Sequence, residues 1–215
     1  MSRAMFPAGR LFIARHGETV FNAAARMQGN DAHTPLTRRG FAQADAMGEA
    51  LLGTLGREPA LELWASDTGR ALQTLAVIAE HLGLDWHSAR TDRRLAEIGV
   101  GRWEGRYYAD VTAEQGEIFD RATGLFSARP PEGEWYDGIA ERLTAWLRDL
   151  DLAPRDRLVI THGITSRVLR GLLAGCDAPP GVDAPVAPPL AQGSLVMIED
   201  GVETLVRTGE AFTPA

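Results

Sequence analysis

Arg15-His16-Gly17-Glu18-Thr19 follows without a break on the apolar run Leu11-Phe12-Ile13-Ala14, and His162-Gly163 follows in the same way on Leu158-Val159-Ile160-Thr161. An imidazole can attack an electrophile or carry a proton near neutral pH, and a guanidinium grips an anion with a planar fork of N–H donors. Ligands of open, mostly parallel α/β sheets bind just beyond the carboxyl ends of the strands. Two histidines and an arginine delivered to such ends therefore point to one shared site. A third strand-to-helix turn, Ser66-Asp67-Thr68-Gly69-Arg70-Ala71, adds a second arginine to the same rim, and Glu97 leads into Gly99-Val100-Gly101-Arg102-Trp103-Glu104-Gly105.

The elements that must position these residues can be read from the apolar pattern. Runs of strand length occupy residues 11–14, 61–65, 158–161, 195–198 and 202–206. Helical spacing runs over residues 37–52, opened by a threonine cap, and recurs over 68–82 and 164–173, with Gly53, Gly83 and Gly175 as stops. Alternating strands and helices predict an α/β fold: a three-layer α/β/α sandwich whose central sheet is mostly parallel. Asp200-Gly201 predicts a hairpin that adds an antiparallel edge strand. Between Gly99 and Tyr136 the periodicity weakens, and Trp103, Tyr107, Tyr108, Phe119, Phe126 and Trp135 accumulate around Pro130-Pro131. That insertion, about residues 99–136, is expected either to cap the strand ends as a small inserted segment or to pack its aromatics into the core. Residues 176–192, rich in Pro and Ala, read as a surface connection.

At 215 residues the chain suits a single domain over 1–215. With 45% hydrophobic and 24% charged residues it has the composition of a globular protein, which argues against disorder and membrane spanning. A net charge of -7 argues against nucleic acid as a partner, so any anion site must be local. Cys176 stands alone, excluding an intrachain disulfide, and residues 1–10 are too short and mixed for a signal-peptide core, so a cytoplasmic location is expected. Oligomeric state stays open.

Competing chemistries lack their residues. No pair among His33, His81 and His87 has the spacing of a metal site, and these three read as surface or packing residues. Gly99-x-Gly101 is not a dinucleotide fingerprint. Cys176 has Val182 where a Cys-x5-Arg phosphatase needs arginine, Asp149-x-Asp151 ends an amphipathic stretch instead of a buried strand, and no Gly-x-Ser-x-Gly elbow occurs.

Taken together, Arg15-His16-Gly17-Glu18-Thr19 with Asn22, Arg26-x-Gln28-Gly29, Pro35-Leu36-Thr37-x-x-Gly40-x-x-Gln43-Ala44, Ser66-x-x-x-Arg70-Ala71-x-x-Thr74, Glu97-x-Gly99-x-Gly101-x-Trp103-Glu104-Gly105 and His162-Gly163 with Arg167 resemble the histidine phosphatase superfamily, also called phosphoglycerate mutase-like, in its larger branch. The resemblance covers nearly the whole chain. It implies that His16 is the nucleophile and that a phosphohistidine splits one hard displacement into two easier ones, where uncatalysed phosphate-monoester hydrolysis can need about 10²¹-fold acceleration. It implies that Arg15, Arg70 and His162 hold the phosphoryl oxygens, that Asn22, Gln28, Gly29 and Gly163 complete the phosphate-binding set, and that Glu97 serves as general acid and base. Glu104 is the other carboxyl group near enough in sequence for that last role. The arginines should keep His16 neutral, whereas for Glu97 burial and the arginines act in opposite directions. Arg26 and Arg167 read equally as pocket supports or solvated charges.

No metal and no cofactor are implied. The phosphoglycerate mutases of the family carry a longer insertion after the acid, which is missing here; the stretch after Glu97 is similar to that of its broad-specificity phosphatases and of its phosphatases of sugar phosphates or cobalamin precursors. Hydrolysis of a small phosphorylated metabolite is the expected activity, with mutase-type transfer and a catalytically silent phospho-ligand-binding module as alternatives. Two departures from the family pattern stand out. The stretch from Gly29 to Pro35 is one residue longer than the family pattern, and Gln192-Gly193-Ser194 replaces an asparagine-led turn, which puts a supporting contact in doubt.

Overall fold

The computed structural model describes residues 8–210. In chain order its elements are β1 (Leu11–Arg15), α1 (Val20–Ala23), α2 (Arg38–Leu55), β2 (Leu61–Ala65), α3 (Gly69–Leu82), β3 (Arg90–Thr91), α4 (Tyr108–Gln115), β4 (Phe119–Asp120), β5 (Leu125–Phe126), α5 (Tyr136–Asp149), β6 (Asp156–Thr161), α6 (Gly163–Ala174), β7 (Leu195–Glu199) and β8 (Val202–Arg207). Six strands form one sheet in the order β3-β2-β6-β1-β7-β8. The first four run parallel, β7 is antiparallel to β1, and β8 is antiparallel to β7. The expected hairpin closes through Asp200 and Gly201, both at positive φ (51° and 77°), as a tight primed turn requires.

Side-chain alternation along β1 divides the core into two. Leu11 and Ile13 join one cluster with Val159 of β6, together with Leu143 and Trp146 of α5 and Val168 of α6. Phe12 and Ala14 join the other, with Leu158 and Ile160 of β6, Met47 and Leu51 of α2, and Leu75 and Ile78 of α3. A central parallel strand buried on both faces needs apolar residues at every position, which is what runs 11–14 and 158–161 supply. The sheet is therefore the middle of three layers.

Two expectations need correction. Helix α2 runs past Gly53 to Leu55 and stops at Gly56, φ 75°; a Cβ on Gly53 would meet nothing, so this glycine weakens an exposed turn without breaking it. Residues 176–192 are no mere surface connection, because Val182, Ala184, Val186 and Ala187 are buried. Proline denies the segment a ladder, yet its small apolar side chains pack on the core and its carbonyls are taken by arginines of α6. The insertion packs Trp103 and Phe126 into the core, and its Tyr108, Phe119 and Phe126 also line the cavity that opens at the strand ends. Residues 1–7, which carry most of the stretch read against a signal peptide, lie outside the described residues. Among the described residues no helix is long and apolar enough to cross a membrane.

The strand ends are level. Arg15 pairs with Thr161 and Ala65 with Ile160, so the loops after β1, β2 and β6 open at one height. The loop after β1 is pressed onto the start of α2, where a Cβ on Gly17 would lie 2.3 Å from the Gly40 carbonyl oxygen and one on Gly40 2.1 Å from that of Glu18. Gly40→Ala is expected to destabilise the protein by about 1–3 kcal/mol through this overpacking. Urea denaturation measures it, and an unchanged midpoint would contradict the close approach.

Candidate active site

His16 leaves β1 with its backbone N–H donating to the Thr161 carbonyl (3.0 Å), and its side chain is buried at 2% exposure. Its Nδ1 lies 2.7 Å from the Gly17 carbonyl oxygen. A carbonyl only accepts, so Nδ1 carries the proton and the neutral ring keeps its lone pair on Nε2. Burial first, then Arg70 and Arg15, hold the His16 pKa well below the usual 6.5. The expected neutrality thus has desolvation as its main cause and the arginines as its second.

His162 sits at the matching end of β6, fully buried, with its ring edge-on to His16 at 5.1 Å between centroids. Arg70 Nε donates to its Nδ1 (3.3 Å), which places the proton on Nε2, and Nε2 in turn donates to the Ser66 hydroxyl (2.8 Å). Burial, Arg70 and His16 push its pKa far down as well. Both nitrogens being engaged, His162 lies behind the cavity wall and orients Arg70. That differs from the direct grip on a phosphoryl oxygen that the sequence led us to expect.

Arg70 enters from the first turn of α3, also fully buried. Its remaining donors reach Thr34 Oγ1 (3.1 Å) and the carbonyls of Gly29 (2.8 Å) and Asp31, so the lengthened stretch from Gly29 to Pro35 serves to fasten it. Burial lowers its pKa to about 10, leaving it charged at neutral pH. Arg15 shares the cavity, and its buried Nε has no hydrogen-bond partner.

Two amides are set by what their oxygens accept. Asn22 caps with Thr19 at the start of α1, and its Oδ1 accepts from Thr19 N–H (3.1 Å) and Gln192 Nε2 (3.0 Å). Gln28 Oε1 accepts from the hydroxyls of Thr19 (2.8 Å) and Thr34 (2.7 Å). Each therefore has its NH₂ group available to the cavity it lines. Gln192 also donates to the His16 carbonyl (3.3 Å), so the turn that departs from the family pattern makes a contact with the site backbone. Only its place beside Gly193 in a departing turn marked it in the sequence.

Glu97 lies across from His16. Its Oε1 accepts from the N–H groups of Ile98 (3.0 Å) and Thr165 (3.0 Å), with the Thr165 hydroxyl, which donates to the Ala96 carbonyl (2.7 Å), 3.2 Å away, whereas Oε2 accepts only from Ile164 N–H (3.2 Å). A Cβ added to Gly163 would meet Glu97 Oε2 at 3.3 Å and Arg15 Cζ at 3.5 Å, so Gly163 is the gap through which carboxyl and guanidinium face one space. Glu104 is exposed and does not line this cavity; burial and Asp31 raise its pKa. The structure brings together Arg15, His16, Asn22, Gln28, Gly29, Arg70, Glu97 and Gly163 around a cavity of about 220 Å³. Arg26 stays out, donating to the Gly105 carbonyl and lying over the rings of Phe21 and Tyr107. His33 and His87 are exposed, and His81 pairs with Asp45 (3.2 Å).

A family model described as histidine phosphatase superfamily (branch 1) matches residues 11–210. A Yersinia pestis protein named "Probable phosphoglycerate mutase GpmB" is 33% identical over 172 residues, 79% of this chain and 76% of its own. The structure of mycobacterial glucosyl-3-phosphoglycerate phosphatase with VO3 aligns over 95% of this chain and 100% of its own at 28% identity, TM-score 0.68. An alpha-ribazole phosphatase from Shigella flexneri, 24% identical, shares the fold over 93% of this chain and 95% of its own, TM-score 0.69.

Stability should register the two depressed imidazoles. Below about pH 6.5 the unfolded chain takes up protons that folded His16 and His162 refuse, so stability falls as pH drops, by at most about 1.4 kcal/mol per pH unit for each, and neither contributes a slope above that value. The melting temperature of His16→Gln is expected to fall less than that of the parent between pH 7 and 5. Parallel curves would refute the depressed pKa.

Proposed function

The chain belongs to the histidine phosphatase superfamily (branch 1), and we propose that it is a phosphomonoesterase that hydrolyses a small phosphorylated metabolite through a phosphohistidine on His16. The observation that carries this reading is a neutral imidazole whose Nδ1–H is tied to the Gly17 carbonyl, leaving Nε2 as a nucleophile beside two guanidinium groups.

Nε2 attacks phosphorus in line with the departing oxygen, the P–O bond to the leaving group breaks, and an N–P bond forms. Arg15 and Arg70, with the NH₂ groups of Asn22 and Gln28, bind the equatorial oxygens and counter the charge they carry in the transition state. Arg15 Nε, buried and without a protein partner, suits such an oxygen. Glu97 gives its proton to the leaving alkoxide; Oε2, with one backbone N–H donor against two at Oε1, is the atom suited to hold it. Water then attacks the phosphohistidine, Glu97 takes its proton, and inorganic phosphate leaves with His16 restored. His162 acts through its neighbours, holding Arg70 and backing the His16 ring.

No step calls for a metal ion or a cofactor. Among the described residues no group of three His, Cys, Asp or Glu side chains is arranged to hold a metal. The cavity is small for a ligand site, which suits a metabolite better than a polymer. Residues 11–210 act as one catalytic domain, with the aromatic-rich insertion at its mouth.

Hydrolysis of p-nitrophenyl phosphate in the presence of chelator is the first test: activity is expected to persist, and His16→Ala to lose about 10⁴-fold or more in kcat. Retained activity in that variant would refute the mechanism. The named mutase relative makes isomer exchange the second arm, and interconversion of 3- and 2-phosphoglycerate with a bisphosphorylated primer would replace hydrolysis as the reading. For the acid, Glu97→Gln is expected to lose about 10²–10⁴-fold on an alkyl phosphate and markedly less on the aryl ester, whose leaving group needs no proton, with Glu104→Gln close to the parent. The reverse ranking would move the role to Glu104.

A further inference from the structure

Four arginines are buried among the described residues, Arg70, Arg157, Arg167 and Arg170, and their charges are handled in contrasting ways. Arg157 is matched by Glu62 (3.0 Å) and Arg170 by Glu203 (2.7 Å). Arg167, 7% exposed, has no carboxylate within 4.0 Å among the described residues; its Nε donates to the Ala187 carbonyl (2.9 Å) and its Nη1 to that of Thr123 (2.9 Å). Its Nη2 has no hydrogen-bond partner among the described residues and is not sealed from solvent. Arg167 lines the same cavity as His16.

Leaving a buried charge unpaired is costly, and the two buried arginines without a carboxylate, Arg70 and Arg167, are the two that line the cavity, where a ligand can supply the missing anion. Burial pushes the Arg167 pKa down, Tyr136 offsets part of that, and nearby Arg170 adds to it. The surrounding wall is apolar: Phe119 and Phe126 stack at 4.2 Å between centroids, Tyr108 packs on Phe119 at 5.5 Å, and Leu190 lies beside them. Low-dielectric surroundings strengthen a charge pair formed there. Arg167 also follows Gly163 by four residues, so the two share a face of α6 one turn apart, roughly 6 Å along the axis. Gly163 marks the phosphoryl end, where Glu97 and Arg15 meet.

We propose that the substrate's leaving group carries a second anionic group, a carboxylate or another phosphate, and that Arg167 binds it. The inference rests on the phosphomonoesterase reading of the same cavity. It narrows the substrate class to phosphoesters with two anions on a short carbon spacer, and makes Arg167 the residue that selects them over neutral sugar or alcohol phosphates.

Binding of stable phosphonates tests it without requiring turnover. Calorimetry at pH 7.5 on the full chain compares propylphosphonate with 3-phosphonopropionate and with propane-1,3-bisphosphonate. One of the two dianchored ligands is expected to bind about 10- to 100-fold tighter than propylphosphonate, and which one does identifies the second anion as carboxylate or phosphate. Arg167→Gln, which keeps a donor for the Ala187 carbonyl, should bring that ratio close to one, and Arg167→Lys should keep part of it. A ratio near one in the parent protein overturns the inference whatever the variants do, as does a ratio that survives in Arg167→Gln. Failure of all three ligands to bind would count against the phosphate site itself, and absence of p-nitrophenyl phosphate turnover against hydrolysis alone.

Discussion

A carbonyl oxygen can only accept, so the contact between Gly17 and His16 Nδ1 decides where the imidazole keeps its proton. Much of the molecule serves to hold that contact. The Gly17 N–H donates to Thr74 of α3, the Glu18 N–H to Gln43 of α2, and the His16 carbonyl accepts from Gln192, so three separate parts of the chain fix one turn of backbone. The glycines at 17 and 40 let loop and helix backbones touch, which any side chain would prevent. Level strand ends then bring His162, Ser66 and Arg70 to the same height, and the hydrogen bonds running from Arg70 through His162 to Ser66 form a rigid floor.

Charge is arranged around this neutral centre with the same economy. Arg70 is buried on carbonyls and a histidine, Arg167 on carbonyls alone, and Arg15 keeps a buried donor free, whereas Arg157 and Arg170, away from the cavity, have their carboxylates. Cations without internal counterions concentrate where an anionic ligand would supply them. That arrangement lets a chain of net charge -7 keep a strongly anion-attracting pocket, because field inside an apolar wall depends on local charges more than on the distant surface. Glu97 is the carboxylate in the pocket, and the N-terminal amides of α6 hold it in place.

The parts of this design that depend on local rules were legible in the sequence. Apolar runs ending in Arg15-His16, Ser66 and His162 gave the strand ends, and the Asp200-Gly201 pair gave the hairpin, because turn chemistry and strand burial act over a few residues. What escaped depends on contacts between distant segments. Gln192 stands out locally only as part of a departing turn, and nothing in that turn shows that its partner is His16, 176 residues away in sequence. Arg167 looked as much like a solvated charge as a pocket residue, since its burial comes from the irregular segment that ends at Gln192 and from the Thr123 turn. The short strands β3, β4 and β5 carry two residues each, too few to show a period. His162 ends its apolar run as the sequence implied, but its hydrogen bonds to Arg70 and Ser66 join distant segments and are not encoded in motif spacing.

The account turns on the protonation state of one ring, and nitrogen NMR of the His16 imidazole reads it directly. Long-range ¹H–¹⁵N correlation at pH 7 should show a protonated Nδ1 and an unprotonated, pyridine-like Nε2, with the same pattern persisting well below pH 6.5. An imidazolium at neutral pH, or a neutral ring with its proton on Nε2, would leave no lone pair on Nε2 to attack phosphorus and would contradict the account.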